Sequence, residues 1–110
     1  MKWIKIEEKM QQKDFVKLVV VKGKKLCIVQ RNGDIFAFQN TCPHAGGLLS
    51  NGWCEDENLV CPVHRYKYNL STGRGVEGQG DYITKYPLEQ RHDGLYIGLK
   101  ESWFSRLLNK

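Results

Sequence analysis

The chain has 110 residues, 41% hydrophobic and 26% charged, a balance close to an ordinary globular chain and far from disorder. Seventeen Lys and Arg against twelve Asp and Glu leave a formal charge of +5, and no apolar run approaches the roughly 20 residues of a membrane-crossing helix. The opening stretch MKWIKIEEKM carries too many charges for the apolar segment of a signal peptide, which predicts a cytoplasmic, reducing setting. In such a setting, clustered cysteines point to metals or catalysis rather than to disulfides.

Trp3 to Ile6 predicts an early edge strand. Phe15 to Val21 (FVKLVVV) and Lys25 to Gln30 (KLCIVQ) are rich in β-branched and apolar residues, and Lys22-Gly23-Lys24 between them predicts a hairpin turn. Lys22, Lys24 and Lys25 are the only clustered basic residues and read as a solvated hairpin tip, so no nucleic-acid partner is expected. Asn32-Gly33 predicts a second tight turn before Asp34 to Gln39, where Ile35, Ala37 and Gln39 face opposite to Phe36 and Phe38.

Later in the chain, Gly73 to Gly80 (GRGVEGQG) lacks the Lys-Ser/Thr ending of a phosphate loop and reads as irregular. Tyr86 to Gln90 and Leu95 to Leu99 predict a third hairpin about His92-Asp93-Gly94, with His92 as a surface residue. The last ten residues, ESWFSRLLNK, predict a short helix over 101–108 with Trp103, Phe104, Leu107 and Leu108 on one side. Short strands with turn residues between them predict one all-β domain over 1–110, an antiparallel β-sandwich or barrel.

Two segments break the strand pattern. Cys42-Pro43-His44 precedes Cys61-Pro62-Val63-His64 in the spacing C-x-H-x16-C-x2-H. Each segment pairs one thiol with one imidazole and places a proline after the cysteine. Proline fixes φ and lacks an N–H, so it stiffens a tight turn while other amides point at sulfur. Two thiolates and two imidazoles suit either tetrahedral zinc or a two-iron cluster in which histidines replace two cysteines on one iron. Zinc fingers place both cysteines in one knuckle, whereas here each knuckle is mixed, so a two-metal centre is the better fit.

These motifs, with the trailing Tyr66-Lys67-Tyr68-Asn69-Leu70-Ser71-Thr72-Gly73, resemble the signature of the Rieske 2Fe–2S ferredoxins, a likeness running from about Ile35 to Gly98. The resemblance implies a Rieske-like β-sandwich with a small two-loop cluster-binding subdomain. It also implies one 2Fe–2S cofactor, with Cys42 and Cys61 on the inner iron and His44 and His64 on the outer one.

Rieske proteins of respiratory complexes add a cysteine in each loop to form a bracing disulfide; the matching positions here are Gly47 and Val63. High-potential relatives have a Ser where Tyr66 stands and a Tyr where Tyr68 stands, and relatives in general commonly have Gly where Arg65 stands. Tyr68 is therefore expected to donate its hydroxyl to a ligand sulfur and so to raise the potential modestly. Without the Ser, the potential is expected in the lower half of the Rieske range of roughly −150 to +300 mV. Arg65 is expected to bear on docking or on the reduced state. Cys27 reads as a small buried hydrophobe and Cys54 as an incidental thiol.

No second constellation for substrate chemistry is legible. The expectation is thus a non-enzymatic, soluble one-electron carrier between a flavoprotein reductase and an oxygenase. The alternatives are a Rieske-like small subunit of a larger oxidoreductase, of the nitrite reductase type, and a redox sensor.

Overall fold

The computed structural model describes residues 1–43, 46–76 and 78–100; the helix expected over 101–108 lies outside them. Ten strands follow in order: β1 (Lys2–Ile6), β2 (Phe15–Val21), β3 (Lys24–Arg31), β4 (Asp34–Gln39), β5 (Trp53–Glu55), β6 (Asn58–Val60), β7 (Lys67–Asn69), β8 (Lys85–Tyr86), β9 (Leu88–Arg91) and β10 (Gly94–Leu99). They pair antiparallel into three sheets, ordered β1-β10-β9, β2-β3-β4-β8 and β5-β6-β7. Among the described residues the only helical turn is a short 3-10 segment, Leu49–Asn51.

Tight turns set the register of the central sheet. Lys22 and Gly23 have φ of 50° and 82°, and Asn32 and Gly33 have φ of 51° and 85°. Two left-handed residues in succession match the right-handed twist of the flanking strands, the reason Asn-Gly and related pairs close two-residue hairpins. Val21 accordingly faces Lys24 and Arg31 faces Asp34. Lys24 thus belongs to β3 rather than to the turn, and its ammonium lies 5.5 Å from the centre of the Tyr86 ring.

The alternation read in β4 separates two cores. Phe38, with Phe36 packed beside it, joins Cys27, Val29, Cys42, Leu49, Leu59, Cys61, Tyr68, Leu70 and Ile83. Ala37, with Ile35 packed beside it, joins Leu26, Ile28, Ile6, Val21, Leu95, Ile97 and Leu99. A strand covered on both faces loses its polar side and reads as an apolar run, as KLCIVQ does. Each large side chain buried here contributes about 1.5–3 kcal/mol relative to exposure.

One expected strand divides. The segment Tyr86 to Gln90 is split at Pro87: β8 pairs with β4 in the central sheet, whereas β9 pairs with β10 in the other. Proline cannot donate to a ladder, so the strand breaks there and the chain crosses between sheets. The Pro87 carbonyl still accepts from the Gly98 amide at 2.9 Å.

The third sheet and both cysteine turns lie between β4 and β8, which are themselves neighbours. Gln39 N donates to Thr84 O at 3.0 Å, and Thr84 N donates to Gln39 Oε1 at 2.7 Å. Next to this seam Asn40 is buried, its Oδ1 accepting from Ser50 N at 2.9 Å and its carbonyl from Leu49 N at 2.7 Å. Asn40→Ala strands the Ser50 amide and is expected to lower the unfolding free energy by about 2 kcal/mol, measured by urea denaturation.

Candidate metal centre

Cys42 and Cys61 each stand where a hairpin closes. In the first, Thr41 pairs with Leu48, Cys42 N donates to Gly47 O at 2.8 Å, and Gly46 N donates to Cys42 O at 2.9 Å. In the second, β6 runs directly into Cys61 and β7 leaves just after Tyr66, and Cys61 N donates to Tyr66 O at 2.8 Å. Pro62 to Arg65 form the turn that closes this hairpin.

The two tips touch. A methyl group placed on Gly47 would lie 2.8 Å from Val63 Cγ2 and 3.0 Å from Cys61 Sγ. Beneath this contact Cys42 and Cys61 are buried, at 1% and 0% exposure, while Val63, His64 and Arg65 are exposed. The sulfurs therefore face inward and His64 sits at the rim. His44 lies outside the described residues; its neighbour Pro43 is exposed. Among the described residues no three His, Cys, Asp or Glu side chains gather closely enough for one metal ion.

Burial pushes the Cys61 thiol up; the Cys42 thiol beside it acts in the same direction, and the Val63 amide at the sulfur pulls the other way. Two desolvated thiols against one another resist ionisation, and a bound cation offsets that cost, because metal ligation replaces the protons and neutralises the thiolates. The donor set thus suits a soft metal centre.

Tyr68 lies fully buried in β7, its hydroxyl 3.3 Å from Cys42 Sγ, so the contact expected from the sequence is present. That hydroxyl also donates to Asp81 Oδ2 at 2.8 Å. Burial first, and then the Cys42 and Asp81 acceptors, push the phenol well above its ordinary range, so it keeps its proton. Tyr66, half-buried, packs on the core around the cysteines and offers its carbonyl to Cys61. Asp81 and its neighbour Gln79 were not legible as site residues, since only folding brings the loop after Gly73 against β7.

His64 and Arg65 have φ of 62° and 56°. Two successive left-handed residues without glycine carry strain of about 1–2 kcal/mol each. Arg65→Gly relieves one of them, offset in part by the greater freedom of glycine in the unfolded chain. It is expected to raise stability by about 0.5–1 kcal/mol in thermal unfolding of the metal-free chain.

The other sequence features fall away from the tips. Cys27 is completely buried in β3, and burial, followed by the nearby Cys54, pushes its thiol up to about 12. Cys54 is half-buried in β5, packed on the same core, and burial raises its thiol too. The four cysteines form no disulfide. His92 is exposed in the turn between β9 and β10.

Residues 2–87 match the model of the family described as Rieske [2Fe-2S] domain. The naphthalene 1,2-dioxygenase system ferredoxin component of Pseudomonas aeruginosa is 34% identical over 58 residues, 53% of this chain and 56% of that protein. The 3-phenylpropionate/cinnamic acid dioxygenase ferredoxin subunit of Shigella boydii serotype 4 (strain Sb227) is 31% identical over 72 residues, 64% of this chain and 68% of that protein. The chain thus spans little more than half the length of the naphthalene dioxygenase relative. Among solved structures, the ferredoxin of carbazole 1,9a-dioxygenase from Nocardioides aromaticivorans IC177 superposes with a TM-score of 0.68 at 20% identity, covering 77% of this chain and 85% of that one.

Proposed function

Because this chain belongs to the Rieske [2Fe-2S] domain family, we propose that it carries single electrons on one 2Fe–2S cluster held by Cys42, His44, Cys61 and His64. The observation that carries this reading is the contact of the two hairpin tips, with buried Cys42 and Cys61 thiols under an exposed His64. When bound, such a cluster accepts and releases one electron.

The chain's own residues supply binding, insulation and presentation. Cys42 and Cys61 bind from below, on a floor built from Phe38, Leu49, Leu59 and Leu70 that keeps water from the sulfurs. Val63 N–H points at Cys61 and helps hold its thiolate. Pro62 and the closed turn fix the spacing between Cys61 and His64. Exposed His64 leaves the imidazole side open to a partner, the short path along which an electron enters and leaves.

The relatives named as ferredoxin components of dioxygenase systems support a carrier role with an oxygenase as acceptor; the donor we propose is a flavoprotein reductase. The test is iron and acid-labile sulfide analysis of anaerobically purified protein, with electron paramagnetic resonance of the dithionite-reduced sample. Iron and sulfide in equal amounts, with a reduced signal coupled to two imidazole nitrogens, are expected. A colourless zinc protein overturns the cluster. Stable co-purification with one large enzyme replaces the mobile carrier by a bound subunit.

A further inference from the structure

Tyr68 has one hydroxyl proton and two acceptors in reach: Asp81 Oδ2 at 2.8 Å and Cys42 Sγ at 3.3 Å. A carboxylate localises its charge on two small oxygens, whereas the charge of a metal-bound thiolate is shared with the metal. The charge-assisted O–H···O contact is therefore the stronger of the two.

Several features hold Asp81 in that position. Gln79 Nε2 donates to the other oxygen, Oδ1, at 3.2 Å, and Gln79 Oε1 is itself fixed by Lys67 N at 2.8 Å. Gly75 N donates to the Asp81 carbonyl at 2.8 Å. Gly75 also leaves the space that Asp81 fills, because a methyl group there would lie 2.5 Å from Asp81 Oδ1 and 2.7 Å from Gln79 Nε2. A carboxylate anchored at one oxygen, with its other aimed at a buried phenol, is built to compete for that proton.

We infer that Asp81 is a positioning residue that draws the Tyr68 proton away from Cys42, weakening the hydrogen bond Tyr68 gives the ligand sulfur and thereby lowering the reduction potential. The inference rests on the cluster reading above. It makes the contribution expected of Tyr68 conditional on Asp81.

A double-mutant cycle read by protein-film voltammetry tests it, with iron and sulfide measured on every variant. In the native background Tyr68→Phe is expected to change the reduction equilibrium constant by less than about twofold. In the Asp81→Asn background it is expected to lower that constant by about tenfold, a shift of ~59 mV for one electron. Resonance Raman supplies a second readout: Asp81→Asn is expected to make an Fe–S(Cys) stretching band more sensitive to deuterium, and Tyr68→Phe to abolish that gain.

Gly75→Ala displaces the carboxylate and, like Asp81→Asn, is expected to raise the midpoint; adding Tyr68→Phe is expected to abolish that rise, whereas a purely electrostatic role of Asp81 leaves it intact. Equal effects of Tyr68→Phe in both backgrounds, in variants that retain full iron and sulfide, overturn the role of Asp81 and leave the cluster standing. Absence of iron from the unmodified chain overturns the cluster reading itself.

Discussion

Cys61→Ala is expected to yield a colourless chain with neither iron nor acid-labile sulfide, while far-ultraviolet circular dichroism keeps its strand signature. The scaffold strands β1 to β4 and β8 to β10 do not pass through Cys61. Truncating one buried sulfur costs about 1 kcal/mol in packing, comparable to a buried methyl group. Loss of a ligand has a far larger consequence, since metal binding free energy adds directly to folding free energy. The variant is therefore expected to melt where the metal-free wild-type chain does, within that packing loss. Stoichiometric iron and sulfide in the purified variant would remove Cys61 from the ligand set.

A disulfide between the tips is expected to stabilise the metal-free chain by about 3 kcal/mol, the entropy of closing a loop of about 15 residues in the unfolded state. The variant is Gly47→Cys with Val63→Cys. A Cβ at position 47 would lie 3.2 Å from Val63 Cβ. Disulfides span about 3.5–4.5 Å between Cβ atoms, so the tips need open by only a few tenths of an ångström. Gly47 does not use a left-handed φ, so a side chain there meets no backbone penalty. The melting temperature is expected to rise by on the order of 10–20 °C in scanning calorimetry and to fall back with dithiothreitol. Two additional thiols titrating under non-reducing conditions would show that the bridge had not closed.

How much of this was legible in the sequence depended on how local the cause was. Lys22-Gly23 and Asn32-Gly33 announce their hairpins because the left-handed backbone must be made by those residues themselves. The opposite facing of Phe36 and Phe38 against Ile35 and Ala37 is legible because period two follows from the strand alone. The Cys-x-His and Cys-x2-His spacing proposed above as the ligand set is legible for a similar reason, since each segment of the sequence carries its own thiol, proline and imidazole.

The sheet of β5 to β7 was not legible: its strands are three residues long, too short for periodicity to stand out. Its first turn, Asp56-Glu57, has Asp56 at a φ of 52° with no glycine to mark it. The division at Pro87 was missed because the apolar pattern on either side is continuous, although the proline itself carried the signal. Asp81 could not be found from its neighbours. Its meaning comes from a partner 13 residues earlier in the chain that only tertiary folding brings within reach.

The seam between Gln39 and Thr84 has a consequence for how this architecture tolerates change. The chain leaves the central sheet and rejoins it on one rung, so everything between is a cassette whose two ends are already stitched together. Insertions or losses inside such an excursion need not disturb the ladder that frames it. The dependence is unequal: the cassette takes Cys27, Val29 and Phe38 of the frame as its floor, and those three rely on it for cover. The frame keeps a separate core behind it. Heating the metal-free chain would then unzip the cassette before the frame, a stepwise failure rather than a single collapse.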